Sequence, residues 1–298
     1  MGIHRRLGGK RRVNIAYFFV APFFLLFFVF TVWPILFSIV LSFTNFNAVQ
    51  WPDLVGWNNY KRLFFSDEVF AIAVKNTLLF AVITGPLGYL GSFGFAWLIN
   101  ELSPKVRAVL TLLFYAPTIS GNAFMIWAVL FSGDAHGYIN GVGMYLGLLD
   151  GPVQWLTDPD YMMTIVILAA LWMSLGTSFL AFIAGLQGVD RRLYEAGAID
   201  GIKNRWQELW YITLPGMKSY LMFGAVMSIT GSFSAAGQIT PLVGFPSTDY
   251  AAHTIMQHIN DYGSIRYEIG YASAIAVVLF VIMVVAQRLV QAALRKLG

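Results

Sequence analysis

Long stretches without charged residues alternate along this chain with shorter charged segments. Asp, Glu, Lys and Arg are absent from six stretches: 13–52, 76–100, 108–133, 161–189, 219–248 and 269–287. Each stretch is close to or above the roughly 20 apolar residues that a helix needs to cross a bilayer. The pattern therefore predicts six membrane-spanning helices at about 15–43, 70–100, 106–131, 162–186, 216–243 and 269–294, the first of them bent by Pro22 and Pro34.

Composition agrees with a membrane protein. Of 298 residues, 58% are hydrophobic and 11% are charged, whereas about a quarter of the residues of a typical soluble domain are charged. A charge at the centre of a membrane helix costs about 2.5–3.5 kcal/mol on insertion scales, so six uncharged stretches are a strong signal. The chain has no cysteine, which excludes disulfides, thiolate metal sites and cysteine nucleophiles.

The basic residues predict the orientation. With six spans and a cytoplasmic N-terminus, most Lys and Arg residues fall in cytoplasmic segments, and only Lys61, Arg62, Lys75 and Arg266 fall outside or at an outer helix end. The positive-inside rule then places both termini in the cytoplasm. The excess of positive charge is thus a topology signal, and no nucleic-acid partner is expected. We expect a basic cytoplasmic tail at 1–14, one membrane domain at 15–294 with a cytoplasmic loop at 189–215, and a short cytoplasmic tail at 295–298.

Several spans carry polar or aromatic residues that have two possible roles. Such residues let helices pack closely and hydrogen-bond to each other, or they line a wet path where hydroxyls and amides meet a polar solute. The sequence leaves both roles open. The candidates for the path are Tyr115, Asn122, Trp172, Ser174, Ser178, Ser232 and Gln238. Ionisable residues are scarce inside the spans, which disfavours transport driven by protons or sodium.

The loop between the fourth and fifth spans is the most informative segment. Leu193, Ala196, Ile199 and Ile202 fall on one side of a predicted helix. Gly201 suits a helix end. A simple connector does not need an apolar stripe that faces the cytoplasm, so we expect this stripe to dock onto a partner.

This segment resembles the cytoplasmic coupling loop of the permeases of ABC importers, which has the pattern Glu-Ala-Ala, then Gly, then Ile-x-Leu-Pro. The matching residues are Glu195, Ala196, Asp200, Gly201, Ile212, Leu214 and Pro215. Gly197 stands in place of the second Ala. In addition, ten residues (202–211) rather than nine separate Gly201 from Ile212, and the extra residue is expected in the turn around 203–205.

The N-terminal third is similar to the carbohydrate branch of these permeases, which includes the maltose and glycerol-phosphate types. The similarity rests on a succession of short motifs: Ala21-Pro22, Trp33-Pro34, Ser42-Phe-Thr-Asn45, Leu54-Val-Gly56, Asn59-Tyr60 and Asn76-Thr77. Together the two regions bracket most of the chain.

The resemblance implies an all-α, polytopic fold with six transmembrane helices, of the type I ABC importer permease kind, in the bacterial cytoplasmic (inner) membrane. It implies a transport subunit that forms, with a second permease, the pathway for a sugar or oligosaccharide delivered by an extracytoplasmic binding protein. Two ATPase subunits would bind ATP and Mg, and this chain would carry no cofactor and no catalytic residue. The residues that would dock on the ATPase are Glu195, Ala196, Gly197, Ile199, Asp200 and Gly201.

Other functions remain open at this point. An ABC permease for a non-sugar solute is one alternative, and a six-span secondary carrier is another. ATP hydrolysis by the chain itself is not expected, because Gly8-Gly9-Lys10 lacks the spacing of a phosphate-binding loop. His253 and His258 lie five residues apart, a poor spacing for a metal site, and are predicted to be loop or interface residues.

Overall fold

The computed structural model describes residues 9–234 and 236–296, with side chains for residues 17–234 and 239–293. Within this part of the chain every regular element is helical, apart from an isolated antiparallel bridge between Thr44 and Leu54. The prediction of an all-α fold is confirmed.

The helices follow one another along the chain with short connections. They are α1 (Gly9–Phe27), α2 (Trp33–Leu41), α3 (Asn58–Phe65), α4 (Glu68–Asn100), α5 (Pro104–Ile119), α6 (Phe124–Leu130), α7 (Tyr138–Tyr145), α8 (Pro159–Met173), α9 (Thr177–Gly188), α10 (Arg191–Ile199), α11 (Arg205–Glu208), α12 (Leu214–Gly216), α13 (Lys218–Phe233), α14 (Ala236–Val243), α15 (Ile255–Asn260) and α16 (Ile269–Lys296). Single turns of π-helix, Phe28–Val32, Leu209–Thr213 and Asp261–Ile265, continue α1, α11 and α15.

The helices long and apolar enough to cross a membrane match most of the predicted spans. Among the described residues these are Tyr17–Leu41, Glu68–Asn100, Pro159–Gly188 and Ile269–Ala293. A fifth is added if α5 and α6, which meet at a bend of 84°, form one broken span. The chain is therefore a multi-pass membrane protein.

Two predicted spans differ from single straight helices. The span predicted at 106–131 continues through Pro117 and then bends at Gly121, whose φ of +65° is incompatible with a right-handed helix. The span predicted at 216–243 consists of α13 and α14, which are separated around Ser234.

The predicted ends of the membrane domain also change. Residues 1–8 of the expected tail at 1–14 lie outside the described residues, and α1 already begins at Gly9, ahead of the predicted start at 15. At the other terminus α16 continues to Lys296, so the expected tail at 295–298 is partly helical, and 297–298 lie outside the described residues.

Helices α4, α9 and α13 pack together at the centre, and α16 packs on α13, α15 and α2. These helices approach each other closely because glycines on one helix face bulky side chains on the next. At Gly224 an added Cβ would lie only 2.3 Å from Cζ of Phe182. The end of the bundle with the predicted coupling loop contains the last residue of α4, Asn100, and α10, and the opposite end contains the start of α4 and α15. This arrangement places one helix, α4, along the whole molecule.

Candidate coupling surface and translocation cavity

Helix α10 is fixed at both of its ends by local hydrogen bonds. The side chain of Asp190 caps its first turn by accepting from the amide of Arg192 at 3.0 Å. The side-chain hydrogen bond from Arg192 holds the pKa of Asp190 below its usual range. At the other end Gly201 has a φ of +95°, and the amide of Ile202 donates to the carbonyl of Gly197 at 2.9 Å. This is a Schellman motif, which satisfies carbonyls of the last turn of the helix and favours Gly at this position.

One face of α10 rests on the segment that returns to the bundle. Gly197 is buried, and an added Cβ there would lie 2.8 Å from Cδ1 of Ile212 and 2.9 Å from Cδ1 of Ile202. The hydroxyl of Tyr194 hydrogen-bonds with that of Thr213 at 2.9 Å. Gly in place of the more usual Ala therefore permits this close contact, and α10 forms a unit with the helix that follows it.

The rest of the surface of α10 is exposed. Ile199 is 88% exposed and Leu193 is 50% exposed, and Glu195, Ala196 and Asp200 are exposed as well. Of the six residues predicted to dock on an ATPase, only Gly197 is buried. A rigid helix that presents apolar and acidic side chains to solvent is suited to binding a partner.

Asn204 caps α11 by accepting from the amide of Gln207 at 2.9 Å, and the chain then forms the π-helical turn Leu209–Thr213. The segment between Gly201 and Ile212 therefore contains a capped helix start followed by the first residues of a π-helical turn. The position of the extra residue, expected in the turn around 203–205, stays a prediction.

A cavity of about 310 Å³ lies between α4, α9 and α13. Its walls carry mainly hydroxyl groups, methionines and small side chains, and none of its lining residues is charged. The lining residues are Phe80, Thr84, Gly88, Ala170, Met173, Ser174, Thr177, Ser178, Met227, Ser228, Thr230, Gly231, Ser232 and Ser234.

The hydroxyl groups of this cavity are held by the helix backbones. Ser178 donates to the carbonyl of Gly224 at 3.1 Å, and Ser232 donates to that of Ser228 at 2.8 Å. Thr84 donates to the carbonyl of Phe80 at 2.7 Å. Each hydroxyl oxygen keeps lone pairs that accept hydrogen bonds. The cavity therefore offers fixed acceptors to a solute that carries hydroxyl groups.

The structure brings three of the seven predicted path residues, Ser174, Ser178 and Ser232, to this cavity. Tyr115 lies within α5, Asn122 is exposed at the bend between α5 and α6, and the ring centroid of Trp172 lies 6.1 Å from that of Trp127. None of these three lines the cavity. Gln238 falls in α14, and its side chain lies outside the described residues.

The contribution of α4 to the cavity was not predicted from the sequence. Thr84 and Gly88 line it, and Thr77, Thr84, Gly88 and Ser92 are all buried in α4. Their spacing of seven, four and four residues places them on one side of a helix. This small and hydroxylated stripe within an apolar span is the signal that identifies the cavity-facing side.

At the opposite end, two histidines that the sequence assigned to a loop or an interface are buried in contact. His253 and His258 are each 1% exposed, and Nε2 of His253 lies 3.1 Å from Nδ1 of His258. Nε2 of His258 lies 3.0 Å from Oδ2 of Asp67, which also accepts a hydrogen bond from Tyr271. This chain of side chains joins the start of α4 to α15 and α16.

Comparison with known proteins adds to these observations. Residues 7–298 match the family described as binding-protein-dependent transport system inner membrane component. The chain is 32% identical over 285 residues to a probable ABC transporter permease, YesP of Bacillus subtilis (strain 168), covering 92% of this chain and 88% of the relative. It is 28% identical to the lactose transport system permease LacF of Rhizobium radiobacter, covering 77% and 76%. It also superposes on a chain of a bacterial ABC transporter involved in import of the acidic polysaccharide alginate, with a TM-score of 0.77, 25% identity and 96% coverage of both chains.

Proposed function

The chain belongs to the family of binding-protein-dependent transport system inner membrane components, and we propose that it is a permease subunit that imports a sugar or oligosaccharide with energy from separate ATPase subunits. In this proposal the chain forms the pathway together with a second permease. An extracytoplasmic binding protein delivers the solute. Two ATPase subunits bind ATP and Mg, and this chain contributes no catalytic residue.

The observation that carries the proposal is the exposed face of α10. Its Schellman end and its buried contact through Gly197 keep the helix rigid while Ile199 and Glu195 face outward. Glu195, Ala196, Gly197, Ile199, Asp200 and Gly201 would form the surface that docks on an ATPase subunit. The anionic side chains would meet basic groups there, and the apolar ones would be covered on binding.

The same assignment sets the orientation. The coupling-loop end must face the cytoplasm, because ATP is supplied there. The basic residues of the loop, including Arg191, Arg192 and Lys203, agree with this orientation under the positive-inside rule. Both termini are then cytoplasmic, with 1–14 as a basic tail, 15–294 as the membrane domain, the coupling loop at 189–215 and 295–298 as a short tail.

The N-terminal helix offers a surface that a second permease or lipid would cover in this proposal. The helix Tyr17–Leu41 exposes most of its apolar residues, among them Phe18 at 76% and Phe30 at 73%. Such a helix is covered by lipid or by a neighbouring subunit in the membrane. A pathway formed by two permeases would leave this helix on the outside of the pair or against the partner.

A carbohydrate substrate is supported by the chemistry of the cavity and by the relatives. The cavity has no charged lining residue and several hydroxyl groups at fixed positions. Relatives include permeases for lactose and for arabinooligosaccharides. A neutral solute rich in hydroxyl groups matches these walls, with Ser174, Ser178 and Ser232 as contacts. Tyr115, Asn122, Trp172 and Gln238 remain candidates for other parts of the path.

The test is co-purification of the ATPase subunits with this chain and its partner permease, combined with uptake of labelled sugars into proteoliposomes. Glu195→Lys should abolish both ATPase binding and uptake. Glu68→Lys makes the same charge change at an exposed position of the opposite end and should leave ATPase binding intact. Retention of normal ATPase binding and uptake by Glu195→Lys would contradict the docking surface.

A second pair of variants tests the geometry of the helix end. Val at position 201 cannot adopt the φ of +95° without strain, whereas Asn tolerates left-handed conformations better than other non-glycine residues. Gly201→Val should therefore lose ATPase binding, and Gly201→Asn should retain most of it. Equal binding by both variants would exclude a role for the shape of this turn.

A further inference from the structure

The coupling loop is attached to the end of α4 by two side-chain contacts. A nitrogen of Arg205, Nη2, lies 2.6 Å from Oε2 of Glu101, directly after the last residue of α4. One turn earlier, the ring of Trp97 packs against the ring of Trp206, with centroids 5.3 Å apart. Arg205 and Trp206 follow α10 closely in sequence. The short segment that contains them therefore connects α10 to the end of α4.

The ion pair is part of a wider polar cluster. Nη1 of Arg205 also donates to Oε2 of Glu208 at 2.8 Å. Hydrogen bonding to Glu208, followed by the charge of Glu101, outweighs partial burial and raises the pKa of Arg205. Beside it, Arg107 of α5 donates to the side chain of Asn100 at 3.0 Å. The end of α4 is thus connected to α5 and to the coupling loop.

Helix α4 also reaches the cavity. It is one uninterrupted helix from Glu68 to Asn100, although it contains Pro86. Thr84 lines the cavity and Trp97 lies 13 residues further along, a distance of about 20 Å at 1.5 Å per residue. A displacement applied at Trp97 is therefore transmitted to the cavity wall by a single helix.

We propose that Glu101 and Arg205, together with the tilted, contacting rings of Trp97 and Trp206, form a joint that makes α4 move with the coupling helix when the ATPase subunits close. The four residues are positioning residues for energy coupling, because they act through α4 and do not touch the solute or ATP. This role rests on the proposed function as an ATP-driven permease. In this proposal α4 links the closure of the ATPase subunits to the shape of the cavity.

The exposure of the ion pair makes this joint accessible to experiment. The side chains of Arg205 and Glu101 are 63% and 37% exposed, and an ion pair this open to water contributes little to folding stability. Glu101→Gln and Arg205→Gln should therefore fold and still bind the ATPase subunits. Their transport should nevertheless be less tightly linked to ATP hydrolysis.

The quantity to measure is the amount of sugar imported per ATP hydrolysed in proteoliposomes that contain the whole complex. We expect Glu101→Gln, Arg205→Gln and Trp206→Ala to lower this ratio by about fivefold or more, a change at the low end of the effects that coupled sites in a protein have on each other. Lys105→Gln removes an exposed charge at the start of α5 and should leave the ratio unchanged. A purely structural role would lower the yield of complex and leave the ratio as it is.

Because the chain has no cysteine, a second measurement can reconnect the joint chemically. The double variant Glu101→Cys, Arg205→Cys should show the reduced ratio, and a short bifunctional thiol reagent should restore it. Restoration is expected because α4 and the coupling loop move together as one body. If the cross-link blocks transport, or if none of the variants alters the ratio, the joint is excluded.

The two proposals fail in different ways. If the wild-type chain does not bind ATPase subunits, the proposed function fails, and the ratio cannot be defined. If wild type imports sugar and Glu195→Lys loses the ATPase, while all joint variants keep the wild-type ratio, the proposed function stands and the joint alone is wrong.

Discussion

Nε2 of His258 lies 3.0 Å from Oδ2 of Asp67, although 191 positions separate the two residues in the sequence. Asp67 is the residue before α4, and its Oδ1 accepts a hydrogen bond from the amide of Phe70 at 2.9 Å. Burial alone would raise the pKa of Asp67, but hydrogen bonds from His258, Tyr271 and Phe70 outweigh it and hold this pKa well below its usual range. One carboxylate thus caps α4 and anchors α15 and α16 to its start.

The anchoring fixes the protonation pattern of the two histidines. When both rings are neutral and Nε2–H of His258 donates to Asp67, Nδ1 of His258 must accept, and Nε2–H of His253 is then the donor to it. Nδ1 of His253 is left as an unprotonated, buried nitrogen, and it has no hydrogen-bond partner among the described residues. A proton added there would place a charge in a buried site without a partner.

We predict that acidification loosens the opposite end of the bundle through His253. Burial, and next repulsion by His258 in its protonated form, lower the pKa of His253 from 6.5 to about 4, with Arg266 acting in the same direction and Asp261 and Asp67 opposing it. Between pH 6.5 and about pH 4, His253 takes up a proton in the unfolded chain but not in the folded protein. The free energy of unfolding therefore falls as pH falls, by about 1.4 kcal/mol per pH unit. Thermal unfolding in detergent at pH 7 and pH 5 measures the change.

The control is His253→Gln, in which the amide keeps a donor for His258 but cannot take up a proton. Its melting temperature should fall less than that of wild type between pH 7 and pH 5. Asp67 does not contribute in this range, because its carboxyl in the unfolded chain titrates only near pH 4. Equal decreases in wild type and variant would show that His253 does not control the acid sensitivity.

We predict that Gly224→Ala disrupts the packing of α13 on α9. The added methyl group would lie 2.3 Å from Cζ of Phe182. This ring is fully buried and packs edge-to-face against Tyr89 and Phe93, so it cannot move aside. Overpacking of this kind costs about 1–3 kcal/mol, which should appear as a lower melting temperature.

Gly91→Ala is the matched control for this substitution. An added Cβ at Gly91 has no neighbouring atom within 4 Å, and Ala has a higher helix propensity than Gly. Gly91→Ala should therefore keep or raise the melting temperature. If the two variants behave alike, the contact between Gly224 and Phe182 is not needed for stability.

The positions of the helices were largely predictable, because charges are costly inside a bilayer and the spanning stretches of the sequence therefore lack them. The stretch 70–100 corresponds to α4 (Glu68–Asn100), for example. The 84° bend between α5 and α6 was not predictable, because hydropathy is the same for a straight and a broken span. Pro117 lies within α5, but the bend itself lies at Gly121, where a positive φ interrupts the helix.

The candidate site was predictable where a motif specifies backbone geometry, as at Gly201, and not where contacts depend on packing. His253 and His258 meet because the segment between them turns back, with Thr254 and Gln257 forming a capping box at the start of α15. A spacing of five residues gives no sign of this contact. Likewise, Thr84 is compatible with either helix packing or a cavity wall until the neighbouring helices are in place.

We predict that Thr177→Phe blocks the cavity without preventing assembly. Thr177 is exposed and lines the cavity at the start of α9, so a larger side chain extends into open space instead of into the core. Sugar uptake should fall by about tenfold or more, the effect of roughly 1.4 kcal/mol on a barrier. ATPase binding should remain, because the coupling loop is not altered.

Thr164→Phe makes the same replacement at an exposed position of α8 that does not line the cavity. Uptake by this variant should equal that of wild type. If Thr177→Phe imports sugar at the wild-type rate, the solute does not pass through this cavity.

We predict that Asn140→Asp opens the segment between α6 and α8. Asn140 is fully buried, and the two N–H groups of its Nδ2 are shared among the carbonyls of Ser132, Asp134 and Val153, at N···O distances of 3.1–3.2 Å. Its Oδ1 accepts from the amide of Val153 and from the indole of Trp155. Aspartate preserves the acceptors but replaces the donor with an oxygen that faces three carbonyl oxygens. Loss of these hydrogen bonds costs about 1–3 kcal/mol or more.

Limited proteolysis followed by mass spectrometry measures the opening, because Tyr138 and Tyr145 of α7 are chymotrypsin sites within this segment. Cleavage there should be faster in Asn140→Asp than in wild type. Asn47→Asp is the matched control, since Oδ1 of Asn47 only accepts, from the amides of Val49 and Gln50, and an aspartate oxygen can replace it. Cleavage of Asn47→Asp at the wild-type rate, with faster cleavage of Asn140→Asp, identifies the donor of Asn140 as the group that holds the segment closed. Equal cleavage rates in all three proteins would mean that the acceptor oxygen at position 140 is sufficient to hold the segment closed.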